Sequence, residues 1–143
     1  MRKKALIMTA ALCSLGLIFL ACGGGGGGGS VEGIPKAFYS AMSKGNVDAM
    51  QKMTTGSFTV EAVKSAEQTK NVKMTISDFK VKEVKDVSAD KKTVRVEFVG
   101  KMEPKGRGFA RKMRNDQVFH LKKVEGKWLI EKIAIASPPV SLT

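Results

Sequence analysis

The sequence contains few of the side chains on which catalytic and metal sites are most often built. Its two cysteines, Cys13 and Cys22, both lie near the amino terminus, and His120 is its single histidine. A structural zinc site needs several cysteine or histidine ligands, so none is expected here. The glycine run at 23–29 does not stand between a strand and a helix, as a phosphate-binding loop does. We therefore expect neither a metal nor a cofactor.

Residues 1–21 have the composition of a cleaved secretory signal peptide. A short positive start is formed by Arg2, Lys3 and Lys4. An apolar run follows at 5–20, and a small residue stands before the predicted cut, as in secretory signals. This run is shorter than the ~20 residues that span a bilayer as a helix, which makes a retained transmembrane anchor the weaker interpretation.

The residues around the predicted cut resemble the lipobox of bacterial lipoproteins, which ends in a small residue followed by a cysteine. Leu20, Ala21 and Cys22 match this motif. The resemblance implies a lipid on the Cys22 thiol and a place in the cell envelope, since several acyl chains together anchor a protein stably. Gly23, rather than aspartate, follows the cysteine, which favours the outer membrane in a Gram-negative cell. The alternative is an ordinary secretory signal in which Cys22 is incidental.

The segment at 22–33 is predicted to be the lipidated cysteine and a flexible tether. Seven consecutive glycines at 23–29 cannot pack, and a coil of about nine residues reaches ~15–18 Å on average. A single domain is expected at 34–139. Once the three basic residues of the signal peptide are removed, 22 basic residues remain against 13 acidic ones, a net charge near +9. This charge favours anionic surfaces, or alternatively contributes only solubility.

Three helical segments are predicted ahead of the strands. Apolar residues recur at helical spacing in each of them, beginning with Ile34 and Phe38. Gly45 is expected to end the first helix, while Asn46 and Ser57 are expected to cap the second and third. The segments are residues 34–44, 47–53 and 58–66.

After residue 70 the apolar period changes from 3.6 to 2, which predicts strands. A slip in the alternation at Ser77 and Asp78 indicates a bulge, and Glu125-Gly126 predicts a tight hairpin turn. The third strand is expected to start at Phe109. The predicted strands are 72–81, 94–98, 109–121 and 128–139. This order predicts an α+β fold, with helices packed on one face of a four-stranded antiparallel sheet.

Two short sequence motifs resemble those of a known superfamily. The run Asn46-Val47-Asp48-Ala49 in the helical part, and the run at 125–130 that ends in Trp128-Leu129-Ile130, look like the nuclear transport factor 2-like superfamily. Within it the chain is similar to uncharacterised bacterial lipoproteins described as similar to lumazine-binding proteins. The resemblance covers about residues 31–137. It implies a curved, cone-like sheet of the cystatin or nuclear transport factor 2-like kind, whose mouth often holds a ligand.

Enzymes of this superfamily place a carboxylate, tyrosine or histidine inside the cone. Tyr39 and Trp128 are the candidates for the cavity here. His120 alternates with Phe119 and Leu121, so it is expected on the face opposite theirs, and the acidic residues of the strands are mostly expected to face water. We therefore expect a non-enzymatic binding module for a small apolar ligand or a protein partner. A small isomerase or hydrolase in the same cavity is the alternative, and a homodimer through the sheet stays open.

A basic run around the third predicted turn is the most marked surface feature. Its members are Lys105, Arg107, Arg111, Lys112 and Arg114. They are candidates for binding anionic lipid or envelope polymer, or alternatively form a solvated hairpin that discourages edge pairing. Nucleic acid is not an expected partner, because an exported protein rarely meets it and only Phe109 offers a ring for stacking. The methionines outside the signal peptide are spread along the sequence and are interpreted as core packing.

Overall fold

The computed structural model describes residues 30–142. The predicted signal peptide, the predicted lipidation site at Cys22 and the glycine run lie outside the described residues. A single 3-10 turn at Val31–Gly33 opens the described part. The elements that follow are α1 (Ile34–Ser43), α2 (Val47–Met53), α3 (Phe58–Thr69), β1 (Val72–Ser88), β2 (Lys91–Pro104), β3 (Arg111–Val124) and β4 (Lys127–Ser141). No helix within residues 30–142 is long and apolar enough to cross a membrane.

Short polar segments end one helix and begin the next. Gly45 has a φ of +64°, which glycine adopts without the steric penalty of a side chain, and it ends α1 as predicted. The Asn46 side chain accepts a hydrogen bond from the Ala49 backbone N–H at 3.1 Å, which caps α2. The cap predicted at Ser57 is wrong. Ser57 has helical backbone angles and makes no side-chain cap, and the Gly56 carbonyl accepts the Thr59 N–H instead.

The four strands pair in chain order as an antiparallel meander, β1-β2-β3-β4. The predicted bulge in β1 is confirmed, because the register shifts between Ser77 and Lys80 and Asp78 has a φ of 50°. The prediction that β3 starts at Phe109 is wrong, since pairing begins at Arg111. The β2–β3 connection is residues 105–110, because β2 continues to Pro104 and β3 begins two residues later than predicted.

The last strand continues past the prolines that were expected to end it. Ser137 pairs with Asp116 and Val140 with Arg114, so the strand has one extra residue where Pro138 and Pro139 lie. Proline lacks the backbone N–H that a central strand needs, but β4 is an edge strand and this position is a bulge. The strand therefore reaches Ser141 and is longer than predicted.

The helices pack on one face of the curved, unclosed sheet. Register places Val94, Phe119 and Ile133 in one row across β2, β3 and β4, on the face that meets Phe38 of α1. The fully buried large side chains include Phe38, Met50, Phe119, Leu121 and Ile130. The predicted α+β arrangement of helices on a four-stranded antiparallel sheet is thereby confirmed.

One backbone hydrogen bond joins the chain at each end of the helix and sheet layers. The Thr55 backbone N–H donates to the Ile130 carbonyl at 3.0 Å, which joins the α2–α3 connection to β4. At the opposite end, the Lys105 backbone N–H bonds the Asn71 carbonyl at 3.1 Å, beside the carboxyl end of α3. Between these two ends the sheet curves away from the helices and leaves a cavity.

Candidate functional site

A cavity of about 460 Å³ lies between the helices and the concave face of the sheet. This volume falls within the range of small-molecule sites in proteins. Helix α1 supplies Tyr39 and Met42, the last turn of α3 supplies Ser65, Gln68 and Thr69, and all of the first three strands contribute. The apolar side chains of the lining are Met42, Val72, Met74, Phe98, Met102 and Met113. The cavity is therefore mainly apolar, with polar groups at a few positions.

The inner end of the cavity is formed by two packed aromatic rings. Tyr39 is 7% exposed and Phe98 is 3% exposed, and their ring centroids lie 4.7 Å apart. The Tyr39 hydroxyl donates a hydrogen bond to the Gln117 side-chain carbonyl. Burial raises the pKa of the Tyr39 phenol well above its usual value, although the bond to Gln117 opposes the shift. Tyr39 is therefore a neutral phenol already engaged with a neighbour.

Gln117 reaches this position because of its place in β3. It lies opposite Val96 of β2 and Ile135 of β4, and directly paired residues of an antiparallel sheet project to the same face. Asn115, two residues earlier, lines the same cavity and donates from Nδ2 to the Met113 carbonyl at 3.1 Å. Alternation along β3 thus places two neutral amides inside the cone, where sequence analysis singled out neither.

Four of the six methionines interpreted as core packing line the cavity, and two of these four, Met42 and Met74, also pack against the core. Met50 and Met53 are indeed in the core, at 0% and 6% exposure. The other four are Met42, Met74, Met102 and Met113. Strand register brings three of them together, since Met74 pairs with Met102, and Met113 pairs with Gly100 on the next row. The three strand methionines are far apart in sequence, so the sequence alone does not show that they lie together. Each of them nevertheless occupies an inward position of an alternating strand.

Arg111 lies at the outer end of the cavity. It pairs with Met102, which pairs in turn with Met74, so its side chain lies on the concave face. Arg111 is exposed, and Met102 is 46% exposed, in contrast to the buried rings at the inner end. Within residues 30–142, Arg111 has neither an ion pair nor a side-chain hydrogen bond. Among the described residues that line the cavity, it is also the one that carries a charge.

The predicted basic surface is divided between two faces of the sheet. Lys112 and Arg114 alternate with Arg111 and pair with Lys101 and Val99, on the convex face. The other two members lie in the β2–β3 connection, where Arg107 is exposed and the Lys105 ammonium donates to the Lys70 carbonyl at 2.6 Å. The five cations therefore do not form one surface, because a β-strand sends successive side chains in opposite directions.

Trp128, the second cavity candidate, lies away from the methionines. It is 9% exposed and packs with the core, and it is not among the residues that line the cavity. The Lys92 and Lys123 ammonium groups lie 5.2 Å and 5.7 Å from its ring centroid. These distances allow cation–π attraction, which helps to cover the ring from water. Trp128 is thus a core residue whose ring is partly covered by the side chains of two lysines.

The carboxylate most strongly held by its neighbours lies outside the cavity. Asp116 accepts hydrogen bonds from Arg95 Nε at 2.9 Å and Arg95 Nη2 at 2.6 Å, and from Ser137 Oγ at 3.2 Å. The hydrogen bonds from Arg95 hold the Asp116 pKa below its usual value. Asp116 pairs with Glu97 on the convex face, so it does not reach the cavity. It is a structural carboxylate.

No general base is found among the residues that line the cavity in the described part. Their titratable groups are Tyr39 and Arg111, and a buried phenol of raised pKa accepts protons poorly. His120 pairs with Thr93 and Lys132 on the convex face, as its alternation with Phe119 predicts. Residues 30–142 also hold no group of three histidine, cysteine or acidic side chains that could bind a metal.

A second cleft, of about 420 Å³, lies between α1 and β1 and shares Tyr39 and Met74 with the cavity. It is lined by more polar groups, including Lys36 and Asp78. Asp78 is exposed on the bulge of β1. An exposed carboxylate in a wet cleft lacks the positioned partner and the exclusion of water that proton transfer requires. The larger cavity is therefore the better candidate for a binding site.

Solved structures with the same fold have varied descriptions. A ketosteroid isomerase-like protein from Erwinia carotovora atroseptica SCRI1043 superposes with a TM-score of 0.62 at 21% identity, over 76% of this chain and 95% of that one. The intermembrane space region of the chloroplast protein ARC6 gives a TM-score of 0.62 at 13% identity, over 75% and 94%. A SEC-C motif-containing protein from Rhodopseudomonas palustris gives 0.53 at 14% identity, over 76% and 80%.

These similarities show that the chain shares the fold of these proteins, with helices packed on a curved antiparallel sheet. No protein-family model matches the chain, and no curated protein matches its sequence significantly. A fold shared by proteins of such different descriptions does not specify an activity. The chemistry of the residues that line the cavity is therefore the better guide to function.

Proposed function

We propose that this protein is an envelope lipoprotein, anchored by a lipid on Cys22, whose folded domain binds a small, largely apolar ligand without changing it chemically. The observation that supports binding is the composition of the cavity. Its wall is apolar, and its titratable lining residues in the described part are a buried phenol and an exposed arginine. An isomerase of this fold needs a carboxylate base beside an acid that stabilises an oxyanion, and no carboxylate of residues 30–142 lines this cavity.

The methionine wall also supports a binding role. Thioether side chains are flexible and polarisable, so they adapt to the shape of an apolar ligand. Met42 on α1 faces three strand methionines, and Tyr39 with Phe98 closes the inner end. Burial of a ligand against this wall would be driven by removal of apolar surface from water, at about 25 cal/mol for each Å².

The anchor rests on the sequence of residues 1–29. The tether of glycines would hold the domain a short distance from the headgroups, where it could take up or release a ligand. The intact mass of protein extracted from cell membranes tests this proposal. We expect a chain that starts at an acylated Cys22; an uncut signal peptide or an unmodified Cys22 would refute the anchor and leave the binding proposal standing.

The same preparation tests the ligand. Native mass spectrometry of the extracted protein should show an added mass that is lost on denaturation in organic solvent. Met74→Glu, which puts a carboxylate on the cavity wall in the row of Arg111, should lose that mass. Lys73→Glu changes the neighbouring residue, which pairs with Glu103 on the convex face, and should keep it. Turnover of a bound compound by the wild-type protein would instead favour the alternative of an enzyme.

A further inference from the structure

The outer end of the cavity joins one unpaired positive charge to an apolar wall. We propose that the ligand is a single-chain amphiphile with an anionic head, whose chain lies along the methionines and whose head pairs with Arg111. This inference rests on the binding function proposed above, because it specifies the ligand of the same cavity. The apolar wall alone does not determine whether the ligand has a charged head group, whereas Arg111 favours a negative one.

The charges of the described part support an anionic head. Arg95, on the convex face, is paired with Asp116 through two hydrogen bonds. Arg111 has no such partner within residues 30–142, and no acidic residue lines its cavity. A guanidinium offers a planar fork of donors that matches a carboxylate or a phosphate. An anionic head would therefore complete an interaction that the described residues leave unmade.

The exposure of the lining gives the orientation of the ligand. Exposure falls from Arg111 and Met102 at the outer end to Phe98 and Tyr39 at the inner end, which are nearly buried. Phe109, beside the outer end, is 55% exposed and adds apolar surface there. A charged head belongs at the wet end and an alkyl chain at the dry end. The chain terminus is thus expected near the two inner rings.

Photo-crosslinking tests both the head and the orientation. The mature, lipidated protein in phosphatidylcholine nanodiscs is irradiated with a twelve-carbon fatty acid that carries a diazirine at the far end of its chain, or with the matching alcohol. Labelled peptides are then mapped by mass spectrometry. We expect labelling near Tyr39 and Phe98 by both probes, because both chains fit the same wall.

Arg111→Gln should lower labelling by the acid about fivefold, the effect of losing an exposed ion pair of about 1 kcal/mol, and leave labelling by the alcohol unchanged. Arg114→Gln is the matched control, since it removes the same charge from the convex face of the same strand. Comparison within one probe cancels its partition into the bilayer. Arg111→Lys, which keeps the charge, should retain most of the acid labelling.

Three results would be decisive against the inference. Equal effects of Arg111→Gln and Arg114→Gln would show general attraction by a basic surface, and an unchanged acid labelling in Arg111→Gln would show that the head lies elsewhere. Labelling confined to Met102 and its neighbours would reverse the orientation. If neither probe labels cavity peptides, the binding function itself fails. Competition by dodecyl phosphate and by dodecanoate, each stronger than dodecanol, supports the inference and identifies the preferred head.

A melting curve for each variant separates loss of binding from loss of folding. Arg111 is exposed and has no partner to lose, so Arg111→Gln should melt within about 1 °C of the wild type. A large drop in melting temperature would mean that Arg111 has a structural role, which contradicts its assignment to the ligand.

Discussion

The hydrogen bond between Tyr39 and Gln117 joins α1 to β3 across the inner end of the cavity, and its removal can be predicted in detail. Tyr39→Phe deletes the hydroxyl and should lower the free energy of unfolding by about 1 kcal/mol, the net worth of a typical hydrogen bond. Gln117→Leu removes the acceptor and leaves a buried phenol without a partner. It should cost more, about 1–3 kcal/mol.

The double variant, Tyr39→Phe with Gln117→Leu, distinguishes a direct bond from two separate effects. Replacing both partners by apolar groups removes the unsatisfied hydroxyl as well as the bond. The double variant should therefore be more stable than the sum of the single changes predicts, by about 1 kcal/mol or more. In a domain of this size, 1 kcal/mol corresponds to about 4 °C in melting temperature.

Urea unfolding of the unlipidated chain provides the measurement, with Trp128 fluorescence as the probe, because Trp128 is 9% exposed in the core and away from the cavity. Additive changes, within about 0.3 kcal/mol, would refute the assigned bond.

The raised pKa of Tyr39 gives a second check. The unfolded phenol ionises near about pH 10, so the stability contributed by the buried neutral phenol is present below that pH and is lost as pH rises above it. The advantage of the wild type over Tyr39→Phe should shrink accordingly.

Three further changes should affect stability. Phe119→Ala removes a fully buried ring that packs against α1, and thermal melts should show a loss of about 3–5 kcal/mol; a loss below about 1 kcal/mol would contradict its core position. Gly45→Ala forces a side chain into a φ of +64° and should cost about 1 kcal/mol in urea unfolding, whereas Gly33→Ala, which meets open space, should be nearly neutral. Asp116→Asn should cost about 1 kcal/mol at pH 7, since the Arg95 pair is partly exposed. Because the folded pKa of Asp116 is lowered, this difference should begin to shrink as pH falls below about 4 and vanish only below the folded pKa, and a constant difference would refute the pairing.

The parts of the fold that depend on local chemistry were predictable from the sequence. The change of period after residue 70 gave the order of helices and strands, and the break at Ser77 and Asp78 gave the bulge. Gly45 and Asn46 marked the first helix boundary because their backbone and side-chain preferences act over a few residues. The predicted side-chain cap at Ser57 was wrong, because a serine caps a helix only if its own backbone lies outside the helical conformation.

The cavity could not be predicted, because its residues are brought together by strand pairing. Register decides that Met74, Met102 and Arg111 share a row, and that register depends on a bulge and on turn lengths that single residues do not fix. The division of the basic run between two faces has a related cause. Five cations close in sequence suggested one surface, but alternation sends Arg111 to the cavity and Arg114 to the opposite face.

The side chains of β3 that face the cavity, and not those on the convex face, decide which chemistry this fold can support. Proton transfer in a cone of this kind requires a carboxylate that is held inside, desolvated and close to a second acid. Here the strongly held carboxylate, Asp116, lies outside and is neutralised by Arg95, while the same strand presents Gln117 and Asn115 inward. A shift of one residue in the register of β3 would exchange these two sets. Among residues 30–142 the inward set is two neutral amides and a terminal arginine, which suits the ligand binding proposed above better than proton transfer.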